Sequence, residues 1–209
     1  MRQVVITHLH TDHAGGLSHV TGSRVWVTRG EFDRATGFGG RVLGYLPHRW
    51  PKWWRPEFIQ FERRALGPFD QSMWLTKRGD ALIVPTPGHT PHHVSVVVQG
   101  DVSFFLAGDT SYNQTLLLAG KVDGVSPDPR VTERTHERIV GLAAERPLVY
   151  LPSHDPDSKR RLIERAAIDV RSQLRASSTS RRSAREARAL RTSCGDHGDV
   201  ASGRGVPRR

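Results

Sequence analysis

A histidine-rich segment at residues 7–13, THLHTDH, restricts what this chain can fold into more than any other feature. It directly follows a short apolar, β-branched run that is typical of a buried strand. Alternate side chains of an extended chain point the same way, so His8 and His10 can converge on one cation. Asp12 and His13 lie on the turn that follows and can reach a second cation. Zinc prefers these ligand types, and four of them within six positions favour a metal site over a chance surface cluster.

Three further residues of metal-binding type also come just after predicted strands: His89 in TPGHTP, Asp109 in LAGDT and His154 in YLPSHD. For each of them alone, an ordinary turn, capping or surface role is the alternative. Together they are more informative, because the carboxyl ends of strands gather sites at the edge of a sheet. Five histidines and two aspartates suit two cations better than one, since a single zinc rarely takes more than four or five ligands.

The rest of the pattern predicts an α/β fold in which helices cover the faces of a sheet. Strands are predicted at Val4–His8, Ser23–Thr28, Phe58–Phe61, Met73–Thr76, Ala81–Pro85, Val94–Val98, Val102–Leu106 and Pro147–Pro152. Helices are predicted over Ala14–Val20, from the capping-box pair Thr28 and Glu31, from Asp128-Pro129 to about Glu145, and from Asp155-Pro156 to about Arg175.

The formal charge of +10 is concentrated at one end of the chain. Residues 171–209 hold ten arginines and three acidic residues, a local charge of +7, which leaves about +3 on residues 1–170. This end has almost no large apolar residues and cannot build a core. We therefore predict a folded domain over residues 1–170 and a disordered Arg/Ser-rich tail over 171–209, and we do not expect nucleic acid as a partner.

The amino-acid sequence leads us to expect neither a membrane span nor a secretory signal. No apolar run approaches the ~20 residues that span a bilayer, and the run at residues 4–6 is too short for a signal-peptide core. The single cysteine, Cys194, cannot form an internal disulfide, which agrees with a reducing compartment. A cytoplasmic location is the expectation.

The order HxHxDH, then a lone His, then Asp, then His resembles the metallo-β-lactamase superfamily over roughly residues 4–165. The resemblance implies an αββα sandwich with two metal ions. It implies one ion on His8, His10 and His89, the other on Asp12, His13 and His154, and Asp109 bridging both. Two Zn²⁺ ions are expected, and iron, cobalt and manganese also suit these ligands.

Members of the superfamily normally place several strands before the HxHxDH segment, whereas here Met1 lies three residues before that segment's own strand. We therefore expect an N-terminally truncated sandwich with an exposed sheet edge. Either Met1 is a misassigned start or the truncation is real. In the second case, an inactive fragment that retains its ligands is one alternative.

Within the superfamily, the segments TPGHTPHHVS, GDTSY and SHD are most similar to the N-acyl-homoserine lactonases. The resemblance implies that a metal-activated water opens the lactone ring of a small-molecule ester or lactone substrate, with Asp12 and Tyr112 as the catalytic residues. Tyr112 is expected to hydrogen-bond the substrate carbonyl or leaving oxygen, and ordinary packing is the alternative. Glyoxalase-II-like thioesterases and RNA-processing nucleases share the metal motif and remain alternatives, and a homodimer is left open.

Three other features have an interpretation from sequence. The cluster Trp50–Trp54 is either a substrate-facing lid or packing beneath a long loop. His92 and His93 follow His89 too closely to be metal ligands, so we interpret them as outer-shell or surface residues, and His92 stands where the lactonases usually have glycine. Asp155 is better explained as a helix N-cap than as a catalytic acid.

Overall fold

The computed structural model describes residues 2–170. Its strands are β1 (Gln3–Val5), β2 (Arg24–Val27), β3 (Glu57–Phe58), β4 (Met73–Trp74), β5 (Ala81–Pro85), β6 (Val94–Val98), β7 (Ser103–Gly108) and β8 (Leu148–Pro152). Its α-helices are α1 (Thr11–Ala14), α2 (Arg29–Thr36), α3 (Gln114–Leu118), α4 (Pro129–Glu145) and α5 (Ser158–Glu164), with 3₁₀ turns at Gly15–His19, Gly40–Leu43 and Pro47–Arg49. The segment 171–209, predicted as a tail, lies outside the described residues.

The strands form two sheets. The first is parallel, in the order β1-β2-β3, with Val4 opposite Val25. The second runs β4-β5-β6-β7-β8 and is antiparallel except for the parallel pair β7 and β8. Strands β5, β7 and β8 therefore end at the same edge of this sheet, which brings the loops that follow them together.

The core has a sandwich arrangement. Between the sheets, Val5 and Trp26 of the first sheet pack against a cluster that includes Ile83 and Val96 of the second. Residues of β2 alternate, so Val25 and Val27 face the other way and pack with side chains from the helical side. Helix α4 buries an apolar stripe of its own, including residues 139 and 142. The αββα architecture expected from the sequence is thus confirmed, and within residues 2–170 no helix is long and apolar enough to cross a membrane.

Two helices begin as their capping residues predict. The hydroxyl of Thr28 accepts the backbone N–H of Glu31 at the start of α2. The carboxylate of Asp128 accepts the N–H of Arg130 at the start of α4, where proline occupies the first helical position. The predicted end of α4 at Glu145 is also confirmed.

The last predicted helix is wrong at both ends. Helix α5 begins at Ser158, and Asp155 is not its N-cap. The Asp155 carboxylate instead accepts the N–H of Gln114 and pairs with the buried Arg161 at 2.6 Å, so it ties three segments together. The helix ends at Glu164, followed by Arg165 with a left-handed backbone, and does not extend towards residue 175.

Other boundaries differ because tertiary contacts draw the chain out of the regular pattern. Strand β1 ends at Val5, short of the predicted end at His8, and the carbonyl of Thr7 accepts the N–H of Val94 from the other sheet. The predicted strands at 58–61 and 73–76 are observed only as the two-residue strands β3 and β4. The helix predicted from residue 14 begins earlier, at Thr11, and continues as a 3₁₀ turn.

Candidate metal centre

The HxHxDH segment leaves the first sheet and turns directly into α1. His8 is fully buried, His10 stands at the N-cap position, and Asp12 and His13 lie in the first turn of the helix. The three other predicted ligands follow β5, β7 and β8. The structure brings all seven residues together in two groups, and the ligand atoms within each group lie within 4.8 Å of one another: His8, His10 and His89, and Asp12, His13, Asp109 and His154.

Asp109 touches both groups. Its Oδ2 atom lies 3.6 Å from Nε2 of His89 and 3.8 Å from Nε2 of His8. The same carboxylate lies 3.2 Å from Nε2 of His13, through Oδ1, and 3.2 Å from Nε2 of His154, through Oδ2. The position that the superfamily resemblance assigned to a bridging ligand is therefore the point where the two groups meet.

The second group is more open to solvent than the first. Oδ2 of Asp12 lies 3.3 Å from Nε2 of His154 and 3.5 Å from Nε2 of His13. The side chain of Asp12 is 58% exposed and that of His154 is 42% exposed, whereas His8 and Asp109 are buried. The centre is therefore open to solvent on the side of the second group.

The residues fit divalent cations, because several buried polar atoms at the centre are otherwise unsatisfied. Within residues 2–170, the buried Nε2 of His8 makes no hydrogen bond, and the buried Nε2 of His13 and Oδ1 of Asp109 lie 3.2 Å apart without hydrogen-bond geometry. Nδ1 of His10 lies 3.0 Å from Nε2 of His89. Two nitrogens that share one tetrahedral zinc lie about 3.3 Å apart, so the observed spacing is close to that of two ligands of a common cation.

Protonation also favours metal binding. Burial, followed by the neighbouring histidines, lowers the pKa of His8 far below its ordinary value, and burial followed by His89 lowers the pKa of His10. Burial alone would raise the pKa of Asp109, but the surrounding histidines lower it to about 2. His8 and His10 are therefore neutral beside an ionised Asp109, and these are the forms that coordinate metals. At His13, burial alone would lower the pKa, but the contact with the Asp109 carboxylate raises it.

A chain of hydrogen bonds fixes the backbone of Asp109. Its N–H donates to Nε2 of His93 at 3.1 Å, so the proton of this imidazole is on Nδ1, which donates to the hydroxyl of Thr86 at 2.8 Å. Thr86 then donates to Ser95 at 2.8 Å, and Ser95 donates to the carbonyl of Ala107 at 3.1 Å. Burial lowers the pKa of His93 to about 3, which keeps it neutral. His93 thus lies outside both groups and supports the backbone of Asp109, and His92 is exposed.

Gly108 allows the close approach of this histidine. Its φ of 58° lies in the left-handed region, and a Cβ atom there would meet Nε2 of His93 at 2.6 Å. Only glycine can end β7 at this point and still present the following residue to both ligand groups.

Glu31 connects the loops that carry the first group. Its buried carboxylate accepts the N–H of Leu9 at 3.1 Å and the hydroxyl of Thr90 at 2.8 Å. Leu9 lies between two ligands and Thr90 follows a third. The capping-box pattern predicted instead a carboxylate turned back to its own helix terminus. No local signal in the sequence shows a contact that spans 59 residues.

Some aromatic residues near the centre pack in the core, and others lie beside the candidate ligands. Trp50 and Trp54 pack against Phe32, with the two indole centroids 4.9 Å apart, so the tryptophan cluster belongs partly to the core. Trp50 also lines a cavity of about 220 Å³ together with Thr11. The ring of Tyr112 is 43% exposed, and its centroid lies 6.3 Å from that of His154, at the open side of the second group.

The fold and the two ligand groups together define an αββα protein with a His/Asp centre suited to metal. The sequence model of the metallo-beta-lactamase superfamily matches residues 2–154, and the chain belongs to this superfamily. No curated protein matches the chain.

Solved structures are similar in fold. An N-acyl homoserine lactone hydrolase with the product N-hexanoyl-L-homoserine bound at its catalytic metal centre has a TM-score of 0.61 and 20% identity, covering 77% of this chain and 58% of that chain. A probable metal-dependent hydrolase from Staphylococcus aureus has a TM-score of 0.61 and 15% identity, covering 74% and 55%. The dizinc quorum-quenching lactonase AidC has a TM-score of 0.54 and 14% identity, covering 75% and 58%. At these identities the likeness shows the fold, and the chain spans somewhat more than half the length of these proteins.

Proposed function

We propose that this chain is a dinuclear metal-dependent hydrolase that opens the lactone ring of N-acyl-homoserine lactones. The observation that carries the proposal is the convergence of seven His and Asp side chains in two groups that meet at Asp109. Two cations held there would supply an activated water and stabilise the charge that develops at a carbonyl carbon. We propose zinc as the metal, and iron, cobalt or manganese suit the same ligands.

The residues take separate roles in this proposal. His8, His10 and His89 would hold one cation, Asp12, His13 and His154 would hold the other, and the ionised, buried Asp109 lies where the two groups meet. Asp12 and His154 complete the open side, where the exposed Asp12 carboxylate can take up a proton and return it to the leaving oxygen. Tyr112, beside His154, offers a hydroxyl to the substrate carbonyl or the leaving oxygen.

Two observations support a lactone as the substrate. The segments around the candidate ligands resemble those of the lactonases, and a solved N-acyl homoserine lactone hydrolase of the same fold holds the product N-hexanoyl-L-homoserine at its catalytic metal centre. We also propose residues 1–170 as the catalytic domain. The proposed location is the cytoplasm, because the single cysteine forms no internal disulfide.

Hydrolysis of N-hexanoyl-homoserine lactone by the zinc-loaded 209-residue chain tests the proposal, with His89→Ala as the control. Ring opening, followed by proton release or chromatography, is expected to fall by at least about a hundredfold in the control, because one ligand group loses a member. Hydrolysis of glutathione thioesters without lactone opening would contradict the proposed substrate and support the proposed class, a metal-dependent hydrolase. Inactivity on both, with metal bound, would contradict the proposal.

A further inference from the structure

The two ring nitrogens of His89 face different surroundings. Nε2 points into the metal centre, 3.0 Å from Nδ1 of His10 and 3.6 Å from Oδ2 of Asp109. Nδ1 points the other way and lies 3.5 Å from Oδ2 of Asp123. Both of these side chains are nearly buried, with His89 8% and Asp123 4% exposed. A buried carboxylate therefore stands directly behind one member of the three-histidine group.

The two oxygens of Asp123 have separate partners. Oδ1 accepts three bonds from the turn that follows: the N–H of Val125 at 3.3 Å, the N–H of Ser126 at 2.9 Å and the hydroxyl of Ser126 at 2.7 Å. These bonds fix the carboxylate and leave Oδ2 turned towards His89. Within residues 2–170, Nδ1 of His89 is buried and has no hydrogen-bond partner of its own. A buried imidazole N–H without an acceptor is costly, and Oδ2 is the acceptor that stands in front of it.

We propose that Asp123 is a positioning residue for the metal centre. It accepts the Nδ1–H of His89, which fixes the tautomer whose Nε2 lone pair faces the cation and makes that nitrogen a stronger ligand. The inference rests on the proposed metal centre. The separation of 3.5 Å exceeds the usual hydrogen-bond length by a few tenths of an ångström, which a small rotation of the imidazole removes.

His8, the other buried histidine of the three-histidine group, has a weaker partner. His8 turns its Nδ1 towards the hydroxyl of Thr7 at 3.2 Å, and a neutral hydroxyl does not bring negative charge to the ring. Of these two histidines, His89 is the one whose second ring nitrogen faces a carboxylate. No motif in the amino-acid sequence marks Asp123, because it follows His89 by 34 residues in a loop between α3 and α4.

Two variants separate positioning from support of the turn. In Asp123→Asn, the amide oxygen still accepts the bonds of the turn, but the amide NH₂ faces Nδ1 of His89 and favours the tautomer with its proton on Nε2. In Ser126→Ala, one hydroxyl bond to Oδ1 is lost, while Oδ2 stays opposite His89. Positioning predicts that metal binding suffers in the first variant and not in the second. If Asp123 only supports the turn, metal binding should suffer in Ser126→Ala and not in Asp123→Asn.

The test is a Zn²⁺ titration of the full chain against a chromophoric chelator, with ¹⁵N NMR of the histidine rings. We expect two equivalents in the original protein, about a 10- to 100-fold loss of affinity for one of them in Asp123→Asn, and a change below about twofold in Ser126→Ala. The protonated Nδ1 signal of His89 should be present in the loaded original protein and lost in Asp123→Asn. Unchanged affinity in Asp123→Asn would overturn the positioning role alone. No zinc in the original protein would overturn the metal centre and this inference with it.

Discussion

Single residues at the centre are held in one protonation state either by their neighbours or by burial. Asp109 stays ionised among histidines, with its pKa lowered to about 2, and His93 stays neutral, with its pKa lowered by burial to about 3. Because both pKa values are lower in the folded chain than in the unfolded chain, the free energy of unfolding decreases as the pH falls. The chemistry of the site and the acid stability of the fold are therefore linked through the same side chains.

Replacing His93 by glutamine should make the free energy of unfolding decrease less as the pH falls from 7 to 5. The pKa of His93 is about 3 in the folded chain and close to the ordinary 6.5 in the unfolded chain, so between these values the unfolded chain binds the extra proton. The contribution of the neutral His93 to stability is therefore fully present above about pH 6.5. It is lost as the pH falls towards 3, by at most about 1.4 kcal/mol per pH unit. Urea unfolding of chelator-treated protein at pH 7 and pH 5 measures this. An equal loss in His93→Gln and in the original protein would show that His93 does not contribute.

Replacing Tyr112 by phenylalanine should slow lactone opening without releasing metal. Its hydroxyl lies outside both ligand groups, so two equivalents of zinc should remain bound. Loss of one hydrogen bond to a charged transition state should lower kcat/KM by about 10- to 100-fold. Steady-state kinetics beside a metal assay on the same sample checks both. An unchanged kcat/KM would mean that Tyr112 only packs beside His154.

Helix α4 shows what a capping residue does at the scale of an element. Asp128→Ala removes the acceptor for the N–H of Arg130, while Asp128→Asn retains one. We expect Asp128→Ala to lose about 1 kcal/mol of stability and Asp128→Asn to lose little, because Asn and Asp are similar N-caps. Thermal unfolding at neutral pH measures the difference as a Tm shift of about 3 °C. Equal Tm values for both variants and the original protein would contradict the assigned cap.

Elements whose boundaries are set by local signals could be predicted from the sequence. The central strands β5 and β6 are apolar runs between turn residues, and α4 begins at an Asp-Pro pair, so their bounds were correct. The start of α5 was wrong because Asp155 is used by Arg161, a contact that the local pattern does not show. The HxHxDH strand was predicted too long because a bond to the other sheet draws the chain out of β1.

The same distinction applies to the site. The seven candidate ligands were named from the sequence because each follows a strand and belongs to a metal-binding residue type, and the structure brings them together. The contacts of Glu31 and Asp123 were missed, because each joins segments 22 to 59 residues apart and neither residue lies in a ligand motif. Ligand chemistry is visible in short motifs, whereas the residues that support the ligands are visible only in the fold.

At the scale of the whole molecule, the metal centre joins parts of the chain that are far apart in sequence. His8 comes from the end of the first sheet, and Asp109 and His154 come from the edge of the second, so the site assembles only when the two sheets pack together. Metal bound to the folded chain and not to the unfolded chain adds to stability by mass action. Metal content is therefore a direct report on the assembled fold as well as on the site.

The most direct measurement is the metal content of the full chain, purified without chelator and determined by inductively coupled plasma mass spectrometry. The two groups of candidate ligands predict two equivalents per chain, and removal of the carboxylate between them in Asp109→Ala should lower the content of both positions. Two equivalents in soluble protein would support a dinuclear centre. One equivalent or none would contradict the assignment of the seven residues to two cations.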